Sequence, residues 1–435
     1  MSAILPEAGA GGAARATTAQ TPRSPGSRRD GSPVSSASVG SARQVQRARV
    51  AVAALFLVNG ATFANLLPRF PEIKADLALS NSAYGVMVAA FPAGALVAGL
   101  AAGAAIRRLG SARVAVLASA ALAILVGLVG PAHSAILVSV VLFAGGCCDA
   151  MADVGQNAHG LRVQRRYGRS IINSLHAVWA AGAVLGGLLG AGSLAVGMSR
   201  SLHLGLSAVL FAAVALIAWP FLLPGAEHDD HAAARAAGGA RAGVAVYAVL
   251  AALVAMIIAG AVVEDAGSSW AALYLRSLGA TGAIAVTGYI ALAGALFVGR
   301  LAGDRLVDRF GERAVVRGGG VIVTVGMGAA LAYPSVASGI AGFAAAGLGM
   351  ATAVPAAMHA ADRLPGLRPG TGLTVVAWLM RVGFVTAPPV VGLISDAAGL
   401  RAGLLLVPAA GLVAALTAGV LSAGRHPARS SAPPP

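Results

Sequence analysis

The chain has 435 residues, 57% of them hydrophobic and only 11% charged, with a mean hydropathy of +0.80. A soluble domain carries about a quarter of its residues as charges, so this composition excludes a water-soluble globular protein. The net charge of +15 raises nucleic acid as a partner, an idea that the placement of the charges excludes below.

Residues 1–47 are rich in Ser, Gly, Pro, Ala and Arg. They hold no apolar stretch long enough for a signal peptide. They are expected to form a disordered cytoplasmic tail or to reflect a reading frame begun too far upstream; contact of their arginines with anionic lipid is the alternative. Twelve apolar stretches follow, near 48–66, 83–106, 114–132, 135–158, 171–195, 203–223, 243–263, 282–301, 315–333, 336–359, 371–394 and 402–423. About 20 apolar residues in a helix cross a bilayer core of ~30 Å, and helices are required because nothing in lipid satisfies a bare backbone. The expected organisation is an all-α membrane protein: a six-helix bundle over 48–223, a cytoplasmic linker over 224–242, a second six-helix bundle over 243–424 and a cytoplasmic tail over 425–435. The two histidines of the linker read as solvated. Cys147 and Cys148 lack zinc-type spacing and read as packing. With no metal-ligand spacing, nucleophile arrangement or nucleotide-phosphate loop, the chain is expected to be neither an enzyme nor an ATP-driven pump, and to need no metal or cofactor.

The second bundle repeats the first at an offset of 200 residues. Gly94-Ala-Leu-Val-Ala-Gly99-Leu-Ala-Ala-Gly103 returns as Gly294-Ala-Leu-Phe-Val-Gly299-Arg-Leu-Ala-Gly303. Phe143, Val154 and His159 return as Phe343, Val354 and His359, and Gly60 as Gly260. Duplicated bundles of this kind mark transporters whose substrate site lies near mid-membrane between the halves.

Counted from a cytoplasmic N-terminus, the inside segments hold 25 basic and 9 acidic residues, and the outside loops five basic and three acidic. Short arginine-rich inside loops are the positive-inside signature. Both termini are therefore expected in the cytoplasm, and the basic excess serves topology rather than nucleic-acid binding.

The loops carry a more specific signal. Asp308-Arg309-Phe310-Gly311-Glu312-Arg313 in the second half answers Arg107-Arg108-Leu109-Gly110-Ser111-Ala112-Arg113 in the first. The glycines permit tight turns, and the basic residues suit a helix C-terminus. This pattern resembles the loop signature of the major facilitator superfamily. The first copy departs from it, because Arg107 stands at the position that is normally acidic; any ion-pair latch is expected through Asp308. Arg69-Phe70-Pro71, Asp153-Val-Gly-Gln-Asn157-Ala-His-Gly160, Asn173-Ser-Leu-His176, Glu264 six residues before Trp270, and Pro388-Pro389-Val-Val-Gly392 resemble the branch of those permeases related to rhizopine-transport-type proteins and, more distantly, to fucose permeases. The resemblance covers residues 50–424. It implies two pseudo-symmetric six-helix bundles around a central cavity, a monomer in the cytoplasmic membrane, and gating loops containing Arg108, Gly110, Arg113, Asp308, Arg309, Gly311 and Arg313.

The informative residues are those that do not belong in lipid, where a charge at a helix centre costs roughly 2.5–3.5 kcal/mol on insertion scales. Asp149, Asp153 and Asn157 recur every four residues and form one polar stripe. Two carboxylates one turn apart in low dielectric are not both expected to ionise, which suits a proton carrier; a helix–helix hydrogen-bond pair is the structural alternative. Glu264 and Asp265 close the seventh span, and Asp265 falls at the offset position of Asn65 on the first. Arg381, in the middle of the eleventh span, needs either an acid (Asp149, Asp153 or Asp265) or an anionic substrate. The resemblance adds that Asp153, Glu264 and His176 match positions of the related permeases and that the first and seventh helices line the cavity. His176 is placed to relay protons or, alternatively, to sit as a core histidine with a backbone partner. Trp179, Trp270, Tyr274 and Trp378 are placed to stack on a sugar ring or to anchor at an interface. The expected function is secondary active transport of a small, sugar-like solute, coupled to H+. Efflux of drug-like or metabolite compounds by proton antiport is the alternative, disfavoured by the absence of the antiport-associated Gly-Pro pair from the fifth span. A non-transporting membrane sensor or scaffold comes last.

Overall fold

The computed structural model describes residues 36–224, 243–367 and 371–422. The expectations for the N-terminal tail up to residue 35, for linker residues 225–242 with both histidines and for the C-terminal tail lie outside the described residues.

Twelve helices are long and apolar enough to cross a membrane. In the first half they are α1 Arg43–Asp76, α2 Asn81–Leu109, α3 Ser111–Leu128, α4 Ala135–Tyr167, α5 Ser174–Ala195 and α6 Arg200–Phe221. In the second half they are α7 Val244–Ser277, α8 Gly282–Phe310, α9 Glu312–Ala332, α10 Val336–Asp362, α11 Thr371–Ala398 and α12 Leu400–Val420. Each half is a six-helix bundle, and the two surround a central cavity. The linker leaves from one end of the molecule, here the linker end. The opposite, distal end carries the turns at 77–80 and 278–281.

Small residues set the helix spacing. On α5, a Cβ at Gly182 or Gly186 would overlap the carbonyl oxygens of Leu57 and Ala61 on α1. Between α2 and α4 the contact is reciprocal: Gly94 lies on the Phe143 carbonyl and Gly146 on the Phe91 carbonyl. Lipid offers no hydrophobic drive to bring helices together, so such close backbone approach supplies the packing. Cys147 joins the α2–α4 contact through Sγ, which donates to the Gly94 carbonyl at 3.3 Å.

The first helix of each half departs from α-geometry at the corresponding place. α1 passes through a 3-10 turn at Leu67–Arg69, where Pro68 lacks an N–H, and α7 through a π turn at Ala266–Trp270. Both helices then continue, to Asp76 and Ser277. The spans expected to end at 66 and 263 are therefore longer. Helix reaches back to Ser36 as well, so the stretch before residue 48 is not wholly irregular. Arg69, expected in an outside loop, is 2% exposed. Its guanidinium donates to Glu72 Oε2 at 2.8 Å, Ser193 Oγ at 3.1 Å, the Met198 carbonyl at 2.6 Å and His203 Nδ1 at 3.3 Å. A charge satisfied in this way tolerates burial.

The halves meet at the distal end through the first turns of α2. The Asp396 carboxylate, near the end of α11, accepts the backbone N–H groups of Asn81 and Ser82, each at 2.8 Å. A carboxylate at a helix N-terminus satisfies orphan donors and opposes the dipole. One turn further along, the Tyr84 hydroxyl donates to the Ser269 carbonyl of α7 at 2.6 Å. Gly85 and Gly392 let α2 and α11 pack backbone against backbone.

Candidate functional site

A cavity of about 540 Å³ lies between the halves. Its chemistry is concentrated on α4. Asp149 and Asp153, one turn apart, both face it, and each carboxylate is held by an amide. Asn59 Nδ2 on α1 donates to Asp149 Oδ1 at 2.9 Å, and Asn59 Oδ1 accepts from Trp179 Nε1 on α5 at 2.9 Å. Asn157 Nδ2 donates to Asp153 Oδ1 at 2.9 Å, and its Oδ1 lies 3.1 Å from His176 Nε2 on α5. With the Asn157 amide nitrogen committed to Asp153, its Oδ1 is the acceptor and the imidazole donates from Nε2. Two parallel polar chains therefore run from α5 to the α4 carboxylates.

The second half supplies the opposite wall. Glu264 is paired with Arg300 of α8, Nη2 to Oε1 at 3.1 Å. Asp265 is 5% exposed; its Oδ1 accepts from Ser269 Oγ at 2.7 Å, while Oδ2 is buried with no hydrogen-bond partner. Because α7 continues past both carboxylates, they sit within the helix rather than at its end. Arg381 on α11 also lines the cavity, with Nη1 donating to the Ala95 carbonyl of α2 at 3.3 Å.

The structure thus brings Asp149, Asp153, His176, Glu264, Asp265 and Arg381 to one cavity, with Asn157 behind Asp153. It does not bring Asn65, Trp270 or Trp378 there. Asn65 is buried and accepts from His203 Nε2 at 2.9 Å. Trp270 is fully buried, edge-on to Tyr84 with ring centroids 5.0 Å apart. Trp378 is 45% exposed, away from the lining. Among the described residues Arg381 forms no ion pair, so the expected pairing with Asp149, Asp153 or Asp265 is absent in this conformation. The arginine reaches across to the backbone of α2 instead.

The loops at 107–113 and 308–313, expected to gate, form tight turns. Gly110 and Gly311 adopt φ of +83° and +80° and donate to the Ile106 and Val307 carbonyls. Arg313 Nε donates to the Leu421 carbonyl at 3.0 Å, and Arg309 lies 5.3 Å from the Phe310 ring centroid. Among the described residues Asp308 forms no ion pair, and the same is true of Arg108 and Arg113. The acid engaged in this loop is Glu312, with His359 Nδ1 at 3.3 Å and Ser422 Oγ at 3.1 Å.

Among the polar lining residues, Asn59, Ser268, Ser269, Tyr289 and Arg300 escaped the sequence reading. Arg300 was legible in the repeat, since the offset places it opposite Leu100: a charge replaces an apolar residue within an otherwise repeated glycine motif. Asn59, Ser268, Ser269 and Tyr289 gave no such signal, because an uncharged polar residue costs little enough in a span to need no partner. Among the described residues no cluster of His, Cys, Asp and Glu is arranged to hold a metal ion.

Comparison with known proteins places this architecture. The profile of the Major Facilitator Superfamily matches residues 52–307. The membrane protein MosC of Rhizobium meliloti is 30% identical over 370 residues, covering 84% of this chain and 88% of that protein. An uncharacterized transporter of Sinorhizobium fredii is 28% identical over 369 residues, covering 84% and 95%. Among solved structures, a bacterial homolog of the human lysosomal transporter Spinster, inward-facing and occupied, superposes with a TM-score of 0.70 at 16% identity, covering 86% of this chain and 95% of that one. A D-xylose–proton symporter superposes with a TM-score of 0.63 at 14% identity, covering 87% and 96%. At these identities the solved structures speak for the fold alone, but the profile match and the MosC similarity, together with the duplicated bundles around one cavity, lead to one conclusion. The chain belongs to the major facilitator superfamily and is a multi-pass membrane transporter of a small solute.

Proposed function

We propose that the protein is a proton-coupled secondary transporter that moves a small, sugar-like solute by alternating access, as a monomer in the cytoplasmic membrane with both termini inside. The observation that carries this reading is the pair of carboxylates on α4. Asp149 and Asp153 stand one turn apart in one cavity, each oriented by an amide, with His176 connected to the second. Like charges this close resist joint ionisation, so the pair holds and releases a proton without a metal or a cofactor. The cavity's walls combine these polar groups with aromatic faces, Trp179 and Tyr289 among them, which suits a polyhydroxylated ring. Hydrogen bonds close the halves at the distal end, while His176 and Arg300, toward the linker end, are exposed. The arginine-rich loops on that side support a cytoplasmic linker end.

The test begins with a solute that stabilises the purified protein against heat, since ligand binding to the native state raises stability by mass action. In proteoliposomes Asp149→Asn, Asp153→Asn and Glu264→Gln are then compared with the parent. Loss of accumulation driven by a pH gradient, with solute counterflow retained, is expected for at least one α4 variant. Parental pH dependence in all three rules out proton coupling through these residues. The sign of the gradient that drives accumulation separates symport from proton-antiport efflux.

A further inference from the structure

We propose that Asp265 controls closure of the distal end: when it is ionised it holds the π turn of α7 in place for Tyr84 to clasp, and when it takes up a proton it releases that clasp. Four observations meet here. The Asp265 Oδ2 atom is buried, unpartnered and set in the cavity wall. Its Oδ1 accepts the Ser269 hydroxyl at 2.7 Å. Ser269 lies within the π turn Ala266–Trp270. The carbonyl of the same Ser269 receives the Tyr84 hydroxyl at 2.6 Å, across the boundary between the halves. One residue thus joins the cavity carboxylate to the opposite bundle.

The physical steps are short. An ionised carboxylate accepts a hydroxyl through a charge-assisted bond, roughly twice as strong as a neutral one. That bond spans residues 265 to 269 and pins the wide turn. A proton from cavity water, bound at Oδ2, removes the charge and weakens the bond at Oδ1. The π turn, which is rarely stable in isolation, is then free to rewind to α. Removing one residue from a turn rotates the helix beyond it by about 100°. That rotation carries Trp270 off the edge of Tyr84 and takes the Ser269 carbonyl away from its donor. The ties of α2 to α11 at this end, the Asp396 carboxylate on the first turn of α2 and the close contacts at Gly85 and Gly392, then remain without the clasp. The titratable and charged groups sharing the cavity with Asp265 are Glu264 beside it, Tyr289 and Arg300 on α8, Arg381 on α11, and Asp149, Asp153 and His176 across the cavity, while Tyr84 faces it from α2. Their presence means that a pH response of the whole protein does not identify Asp265; substitution does.

The inference rests on the alternating-access part of the proposed function, and its readout uses neither solute nor gradient. Spin labels are placed at Ala75 and Thr281, exposed positions at the distal ends of the two halves, in a Cys147→Ala/Cys148→Ala background, and the distance distribution is recorded in detergent and in lipid at pH 8. The parent is expected to show mainly the short distance. Tyr84→Phe, Ser269→Ala and Asp265→Asn are each expected to raise the ratio of long to short distances about tenfold, the effect of losing one strong hydrogen bond. Tyr84→Phe with the parental distribution overturns the clasp. An open Tyr84→Phe with parental distributions in both Ser269→Ala and Asp265→Asn overturns control by the carboxylate. Ser269→Ala keeps the carboxylate and removes only its partner, so it carries the test if Asp265→Asn fails gel filtration. Transport lost while these distances respond as expected counts against the proposed function and leaves the clasp standing.

Discussion

Removing the Arg300 guanidinium should strand Glu264 in the cavity wall, and the size of the effect follows from the pair's geometry. The atoms are 3.1 Å apart. At an effective dielectric constant near 20 the gross attraction is about 5 kcal/mol. The side chains are 41% and 30% exposed, so water screens much of that, and a net value of about 1–3 kcal/mol lies between the limits for surface and buried pairs. The two single substitutions are not equivalent. Arg300→Ala leaves a carboxylate without its base, next to Asp265 in the chain. Glu264→Gln leaves the more exposed partner, which water can solvate. Arg300→Ala is therefore expected to cost more stability than Glu264→Gln, and Arg300→Ala/Glu264→Gln to recover most of the loss. The assay is a double-mutant cycle on the unfolding midpoint of purified protein in one detergent, at one heating rate because membrane proteins often unfold irreversibly. Additivity of the two substitutions to within about 0.5 kcal/mol, or a larger loss from Glu264→Gln than from Arg300→Ala, would refute the reasoning.

Three further outcomes are expected. Arg69→Ala removes the centre of a buried network that joins α1 to Ser193, Met198 and His203, and should cost about 3–5 kcal/mol; Arg69→Lys, whose single ammonium cannot reach every acceptor, should restore only part of that in the same unfolding assay. Gly186→Val places two methyl groups against the Ala61 backbone of α1 and should lower both expression and unfolding midpoint, by at least the 1–3 kcal/mol typical of overpacking, whereas Gly192→Ala, which meets nothing within 4 Å, should be silent. Reporter fusions after residues 80 and 230 should report opposite sides of the membrane, and agreement between them would break the twelve-span topology with both termini inside.

The sequence by itself determined the number of helices, the division into halves and the family. These follow from one-dimensional facts: lipid demands uninterrupted apolar runs with their backbones paired internally, and a duplication leaves its offset in the order of residues. It also pointed to most of the polar cavity residues, because an acid or a base within such a run is costly enough to need a partner. What it could not determine was which way each side chain turns and how far each helix runs. Trp270 and Asn65 lie close to cavity residues in the chain yet are buried against Tyr84 and His203, since neighbours in a helix point about 100° apart. Glu264 and Asp265 looked like a helix end because charge stops an apolar run, but tertiary partners, Arg300 and Ser269, let the helix continue through them. Arg381 looked like half of an ion pair from counting charges. Only the packing of α11 on α2 decided that its hydrogen would go to the Ala95 carbonyl, and only the assembled cavity decided that Arg300 would be the base paired with Glu264.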